Sequence, residues 1–463
     1  MRSSHRGSWT VSRHRLAFGA LLLGNAVGFA GVDPPTRLAT SAVVLLLILD
    51  LRRMPDVPRL HRLAGFIVAS LVLVQLVPLP EAVRRIVQPG FAEVMATGWA
   101  PLSLAPWATL QAAASGVVVV GIALTAARIA ATRSGLPVLL ALLAGTGVLV
   151  AVLGLAGEAG APEKVLLVRD NTGGGSPYGP FVNENHFAQA VELTLPAALI
   201  LLAVNARQLR GSSGRRQLAA VMVLSAAVVT VVSVAAMLRS GSRGGALFLL
   251  VALALTFPLW LRPRRLRGRR WPAVIAGLVL VGVIGSLSWT RLPELEEGFR
   301  DLFAVEGVDG NTRWDLWAGT IRSWERSPLV GSGLGSYRYV IGMDKPATGQ
   351  SVLEQAHNDW LEWASTTGIV GAAALLLFVV SVGLSLMPWR VRRLRFEFRY
   401  ALAGIALALV ATAIHEIVGF GLQTPLNRYL LATWIGLLWG LAGRGRDRDG
   451  GGRKAAPTEG APV

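Results

Sequence analysis

Apolar runs of about 17–25 residues recur along this chain and limit its fold more than any other feature, because that is the length of helix that crosses a bilayer. "IVGAAALLLFVVSVGLSLM" at 369–387 is typical. Of 463 residues 53% are hydrophobic and mean hydropathy is +0.52, too apolar for a soluble protein of this length. The expected fold class is therefore an all-α integral membrane protein with about 12 transmembrane helices. They start near Leu16, Ser41, Leu63, Leu110, Leu136, His186, Leu218, Gly244, Pro272, Gly368, Tyr400 and Leu426. Residues 1–463 read as a single polytopic membrane domain, with a disordered cytoplasmic tail at 444–463. The basic start and apolar stretch at the N-terminus lack a small-residue cleavage site and read as an uncleaved signal anchor.

The net charge of +18 raises the possibility of nucleic acid. Its distribution argues against that partner. Arginines gather in short loops, as in "LRPRRLRGRR" and "WRVRRLRFEFR", which is the topology signal of membrane proteins. With alternate loops assigned to the cytoplasm, that side carries about 30 Lys and Arg against about 6 Asp and Glu, and the other side about 15 against about 21. The split places both termini in the cytoplasm. The chain has no cysteine, which excludes disulfides, thiolate catalysis and cysteine metal sites.

Three segments on the outer side are long enough to carry function. Glu81 to Trp107 is proline-rich and reads as an interfacial or re-entrant piece, with Trp99 and Trp107 at headgroup level. The second is the loop at 158–185, and the third is the large loop at 290–367 between the ninth and tenth spans. In the large loop "NTRWDLWAGTIRSWER" predicts a helix with Thr312 at the N-cap and Asp315 three residues on, ended by Pro328. "EQAHNDWLEWAS" predicts a second helix, on which His357 shares a face with Trp360, Leu361 and Ala364.

Several constellations carry chemistry. "LRSGSRGGALFLL" sets Arg239 and Arg243 at the junction of two spans, on the side where positive charge is scarce. Two guanidiniums beside glycines suit a phosphate or diphosphate. Pairing with Glu184, Glu192 or Glu416, or snorkelling to headgroups, explains them as well. "FVNENHFAQAVELTLP" places Asn183, Asn185, His186 and Gln189 at the start of a span. Either asparagine serves as a helix cap, and the preceding glycines are not a phosphate loop. Glu192, inside the span, is a functional candidate by its position alone. His415 and Glu416 stand near the outer end of another span, where they have each other as local partners. His357 is either a capping residue or a general base near neutral pH, on the same side as the arginine pair. His186, His357 and His415 lack the tight spacing of metal ligands.

In order, these segments resemble the O-antigen ligase family of polytopic bacterial glycosyltransferases, a superfamily that includes O-antigen polymerases and protein oligosaccharyltransferases. "FVNENHFA" is similar to the family's asparagine-x-asparagine-histidine stretch, and "SGSRGGAL" to its serine-arginine motif, with Arg243 and Leu247 at the family spacing. "RWDLWAGTIRSWERSPLVGSGLGSY" resembles the helix and glycine turn of its large periplasmic loop. His357, Asn358, Gly368 and Gly371 fit its hallmark, histidine-asparagine followed by two spaced glycines. The ligase-type threonine pair after the second glycine is replaced by Ala372 and Ala373. The resemblance runs from Pro180 to Gly371.

The resemblance implies an inverting glycosyltransferase, needing no cofactor or metal, at the periplasmic face of the bacterial inner membrane. Its donor would be an undecaprenyl-diphosphate-linked glycan, and its acceptor a hydroxyl of lipid A core, of another glycan or of a protein. His357 would deprotonate the acceptor, and Arg243 with Arg239 would hold the diphosphate. Asn183, Asn185, His186 and Asn358 complete the implied substrate-binding set. A transporter or flippase is the reading from a different class. No half-to-half repeat stands out, and the polar groups gather at one face, which favours the enzyme.

Overall fold

The computed structural model describes residues 2–451 apart from 52–53, 93, 95, 172–174, 210–212, 261–312, 345–353 and 388–395. Nine helices precede the gap at 261–312: α1 (Arg2–Val27), α2 (Pro34–Leu49), α3 (Arg59–Leu76), α4 (Glu81–Val87), α5 (Pro106–Ala130), α6 (Gly135–Gly160), α7 (Glu184–Gln208), α8 (Ser213–Arg239) and α9 (Arg243–Trp260). Beyond it lie α10 (Arg313–Arg326), α11 (Asp359–Ser385), α12 (Phe396–His415) and α13 (Pro425–Gly451). Two antiparallel ribbons fasten the loops, β1 (Leu79–Pro80) with β2 (Trp99–Ala100) and β3 (Lys164–Val165) with β4 (Arg169–Asp170). In lipid every backbone polar group must be satisfied within the segment, so apolar runs of this length fold as helices.

The protein is an all-α, multi-pass membrane protein. Seven helices, α3, α5, α6, α7, α8, α11 and α12, are long and apolar enough to cross a membrane. The described residues therefore do not display the expected twelve spans. The expectation counted apolar runs, and several runs fall short of a full apolar helix. α2 has only 16 residues and α9 is likewise a short apolar helix. The first half of α1 is polar, and α13 ends in "GRGRDRDGG". The span expected near Pro272, the Thr312 cap and residues 452–463 lie outside the described residues.

α7 is the centre of the bundle. It packs against α6, α8, α9, α12 and α13, and 83% of its apolar window is buried inside the protein, against 28% for α3. Leu, Ile and Val side chains on the outer helices stay exposed, as lipid-facing surfaces require. α13 meets α5 through Gly436 and Gly440, one turn apart. A Cβ on Gly436 would stand 2.7 Å from the Ala126 side chain, and one on Gly440 2.6 Å from that of Ala130. Small residues at this spacing let two helix backbones touch where no hydrophobic drive separates protein from lipid.

The expectation of a helix through His357 is corrected. α11 begins at Asp359, and Asn358 is its N-cap, extended and accepting the Leu361 N–H at 3.0 Å. His357 precedes the cap with φ +50°, in the left-handed region, where Asn, Asp and His are the least strained of the side-chain-bearing residues. α11 is broken at Gly368, whose φ of +64° and ψ of −167° belong to a region open only to glycine. The break admits the 328–333 turn: Ile369 N–H donates to Pro328 C=O at 2.8 Å, and Gly333 N–H to Thr366 C=O at 3.0 Å. Gln75 of α3 closes the junction by donating to Val330 and Thr366 carbonyls at 2.7 and 3.0 Å. Gly368, the first glycine of the sequence hallmark, thus docks α10's following turn onto α11, while Gly371 packs within its own helix against Thr367.

Candidate functional site

At one end of the bundle, the heads of α7, α9 and α10 and the far end of α12 surround a cavity of about 140 Å3. Asn183, Asn185, His186, Gly244, Arg313, His357 and His415 line it, with the α12–α13 connector from Val418 to Gly421. Residues spread over more than 230 positions of sequence meet there.

The α7 side is tied by hydrogen bonds. Asn183 is the N-cap, its Oδ1 accepting the Asn185 N–H at 2.7 Å. Asn185 Oδ1 accepts the Ser242 hydroxyl at 2.7 Å, which stitches the head of α7 to the α8–α9 turn. His186 Nδ1 lies 3.0 Å from the Thr424 hydroxyl, and its ring stands edge-on to Phe420 with centroids 4.6 Å apart. Its buried Nε2 has no hydrogen-bond partner among the described residues. Deeper, His415 Nδ1 lies 2.9 Å from Glu192 Oε1, and Glu416 accepts from Gln189 and from the Leu422 N–H. His415 and Glu416 thus do not pair with each other; each reaches across to α7.

The two expected arginines part company. Arg239, last in α8, forms an ion pair with Glu158 of α6, whose other oxygen accepts the Tyr178 hydroxyl at 3.0 Å. That carboxylate was not among the partners considered from sequence, and Arg239 is not in the cavity lining. Arg243 opens α9 directly before Gly244, which is in the lining. Asn358 stays at its capping post beside His357.

His357 is half-buried, its ring edge-on to Phe420 with centroids 4.4 Å apart. Burial, with the Arg313 guanidinium adding to it, pushes its imidazole down to about 4. The ring is therefore neutral at pH 7, with its nitrogen lone pair unprotonated and its basicity reduced by the same burial. Arg313 is the site residue that sequence reasoning missed. It opens α10 with Nε buried and without a hydrogen-bond partner among the described residues. A cation at the positive end of a helix is disfavoured by about 0.3–1 kcal/mol, and that misplacement was the available signal.

An uncharged imidazole, an arginine with an unused donor and the head of α9 on one cavity suit an anionic group held beside a hydroxyl to be deprotonated. Residues 228–376, from α8 through His357 into α11, match the family described as O-antigen ligase. That segment belongs to the O-antigen ligase family. It contains Arg239, Arg243, Arg313, His357 and both hallmark glycines, whereas Asn183, Asn185 and His186 precede it. No curated protein matches the chain.

Proposed function

We propose that this O-antigen ligase-family protein transfers a glycan from undecaprenyl diphosphate to an acceptor hydroxyl at the periplasmic face of the inner membrane, with both termini cytoplasmic. The supporting observation is the placing of His357, neutral at pH 7, in one cavity with Arg313 and the head of α9. His357 takes the acceptor hydroxyl proton as its oxygen bonds to the anomeric carbon. The bond from that carbon to the diphosphate breaks, and its electron pair leaves with the diphosphate. A single displacement of this kind inverts the anomeric centre. Arg313 and Arg243 hold the diphosphate oxygens, whose charge grows as the bond breaks, in a site where water does not screen it. Arg239, occupied by Glu158, fastens α8 to α6 rather than holding substrate.

The test is reconstitution of the purified protein in lipid vesicles with an undecaprenyl-diphosphate glycan and an acceptor. Formation of the glycosidic product, with release of undecaprenyl diphosphate, supports the reading. Movement of the intact lipid-linked glycan across the vesicle membrane without product would replace it with the flippase. Deletion in the host then sorts the acceptor. Bare lipid A core with intact free chains marks a ligase, single-repeat caps an O-antigen or exopolysaccharide polymerase, and an unglycosylated protein an oligosaccharyltransferase.

A further inference from the structure

The cavity holds a second imidazole that the transfer step above does not use. His415 ends α12 and Glu192 lies about two turns into α7, 223 residues earlier, yet they are in contact at 2.9 Å. Glu192 is 0% exposed and His415 4%. Glu192 Oε2 has no hydrogen-bond partner among the described residues. A carboxylate so deep in a bundle is costly to keep unless it pairs with charge that forms there. By engaging Nδ1 it fixes the tautomer and the orientation of the ring, leaving Nε2 as the proton-accepting nitrogen. The same ring lines the cavity with His357, and Phe248 packs against it at 5.1 Å.

Transfer leaves a proton on His357 in a cavity that already holds Arg313, with Gly244 at the head of α9 in its lining. The diphosphate then departs and takes its negative charge away. Glu192 is the carboxylate placed behind that cavity to balance what stays. We propose that His415, oriented by Glu192, receives the proton from His357 through water in the cavity and so returns His357 to its neutral form. The N–H bond of the His357 imidazolium breaks, its electron pair stays on His357, and a new N–H bond forms at His415 Nε2. Glu192 Oε1 holds the resulting imidazolium at Nδ1, and the proton leaves through the same cavity water. The cavity is far larger than one ordered water needs. The charged and titratable groups that line the cavity with His415 are His186 on α7, Arg313 on α10 and His357, and Glu416, next in the chain, accepts the Asp359 N–H at its carbonyl.

This relay rests on His357 being the base. Steady-state, multiple-turnover transfer in vesicles at saturating lipid-linked donor, measured in mixtures of H2O and D2O, tests it, because each new turnover needs His357 returned to its neutral form. Two imidazoles in sequence give the wild type a bowed dependence on deuterium fraction, and Glu192→Gln a straight one. Glu192→Gln also lowers kcat by about 10-fold or more without changing donor KM, and Glu192→Asp restores part of it. A purely structural pair would change stability and KM but not the curve. A straight line for the wild type overturns the relay whether or not the variants fold, as does Glu192→Gln with wild-type rate and curve. Undiminished transfer by His357→Ala would overturn the base assignment and the relay together. A straight line with transfer still dependent on His357 removes the relay alone.

Discussion

The cavity has two walls, and they are built by different means. On the helical wall Asn183 caps α7, Asn185 holds Ser242, His186 meets Thr424, and Glu192 holds His415. On the loop wall Arg313 Nε has no hydrogen-bond partner among the described residues, and His357 is held by an aromatic contact and a left-handed backbone. A side chain whose hydrogen bonds are used within the protein positions its neighbours. One whose capacity is unused is available to a ligand, a state that His186 Nε2 on the helical wall shares among the described residues. The proposed function accordingly gives the chemistry to Arg313 and His357 and support to the asparagines; in the sequence His357 and the asparagines were candidates alike, and Arg313 was not one.

Substitutions that break the contrast should differ in what they damage. Arg313→Ala should lower transfer by about 10²–10³-fold while the protein stays folded, and Arg313→Lys should recover only part, because a point charge does not replace the planar fork. Transfer by Arg313→Ala within a few-fold of the wild type would make that residue part of the support. Gly368→Ala should act on the joint instead. A side chain in that backbone region costs about 1–3 kcal/mol, and contact with the Leu329 backbone adds to it. The expected result is a lowered thermal midpoint in detergent, and an unchanged midpoint would show that the α11 break is not needed. Asn358→Ala should cost about 1 kcal/mol as a lost cap and leave donor affinity unchanged. A weakened donor KM with unaltered stability would return Asn358 to the substrate-binding set.

The smallest effect is electrostatic. His357 titrates at about 4, with burial first among the causes and Arg313 second. Arg313→Gln should move the His357 midpoint upward, read from histidine-labelled protein by NMR, while His357 stays below its ordinary value. A midpoint already at the ordinary value in the wild type would mean that the loop wall is open to water.

Much of this was legible in the sequence, and the misses have physical causes. Apolar runs located the helices, because hydrocarbon leaves the backbone no other choice. Reading the arginine-rich loops as cytoplasmic put Arg243 and His357 on one side as an expectation, and His357 does share a cavity with Gly244, next to Arg243 in sequence. Pairings between distant helices were not legible. Arg239 with Glu158 and His415 with Glu192 depend on which faces of α6, α7, α8 and α12 meet, and periodicity in an all-apolar helix does not mark a face. The turn at His357 was hidden because histidine followed by asparagine reads equally as the first turn of a helix or as a left-handed residue before its cap.

The central claim is that His357 is the base, and the most direct measurement is transfer by His357→Ala in vesicles at saturating lipid-linked donor. The account predicts a fall of about 10²–10⁴-fold with folding and donor binding intact. Transfer within a few-fold of the wild type would contradict it.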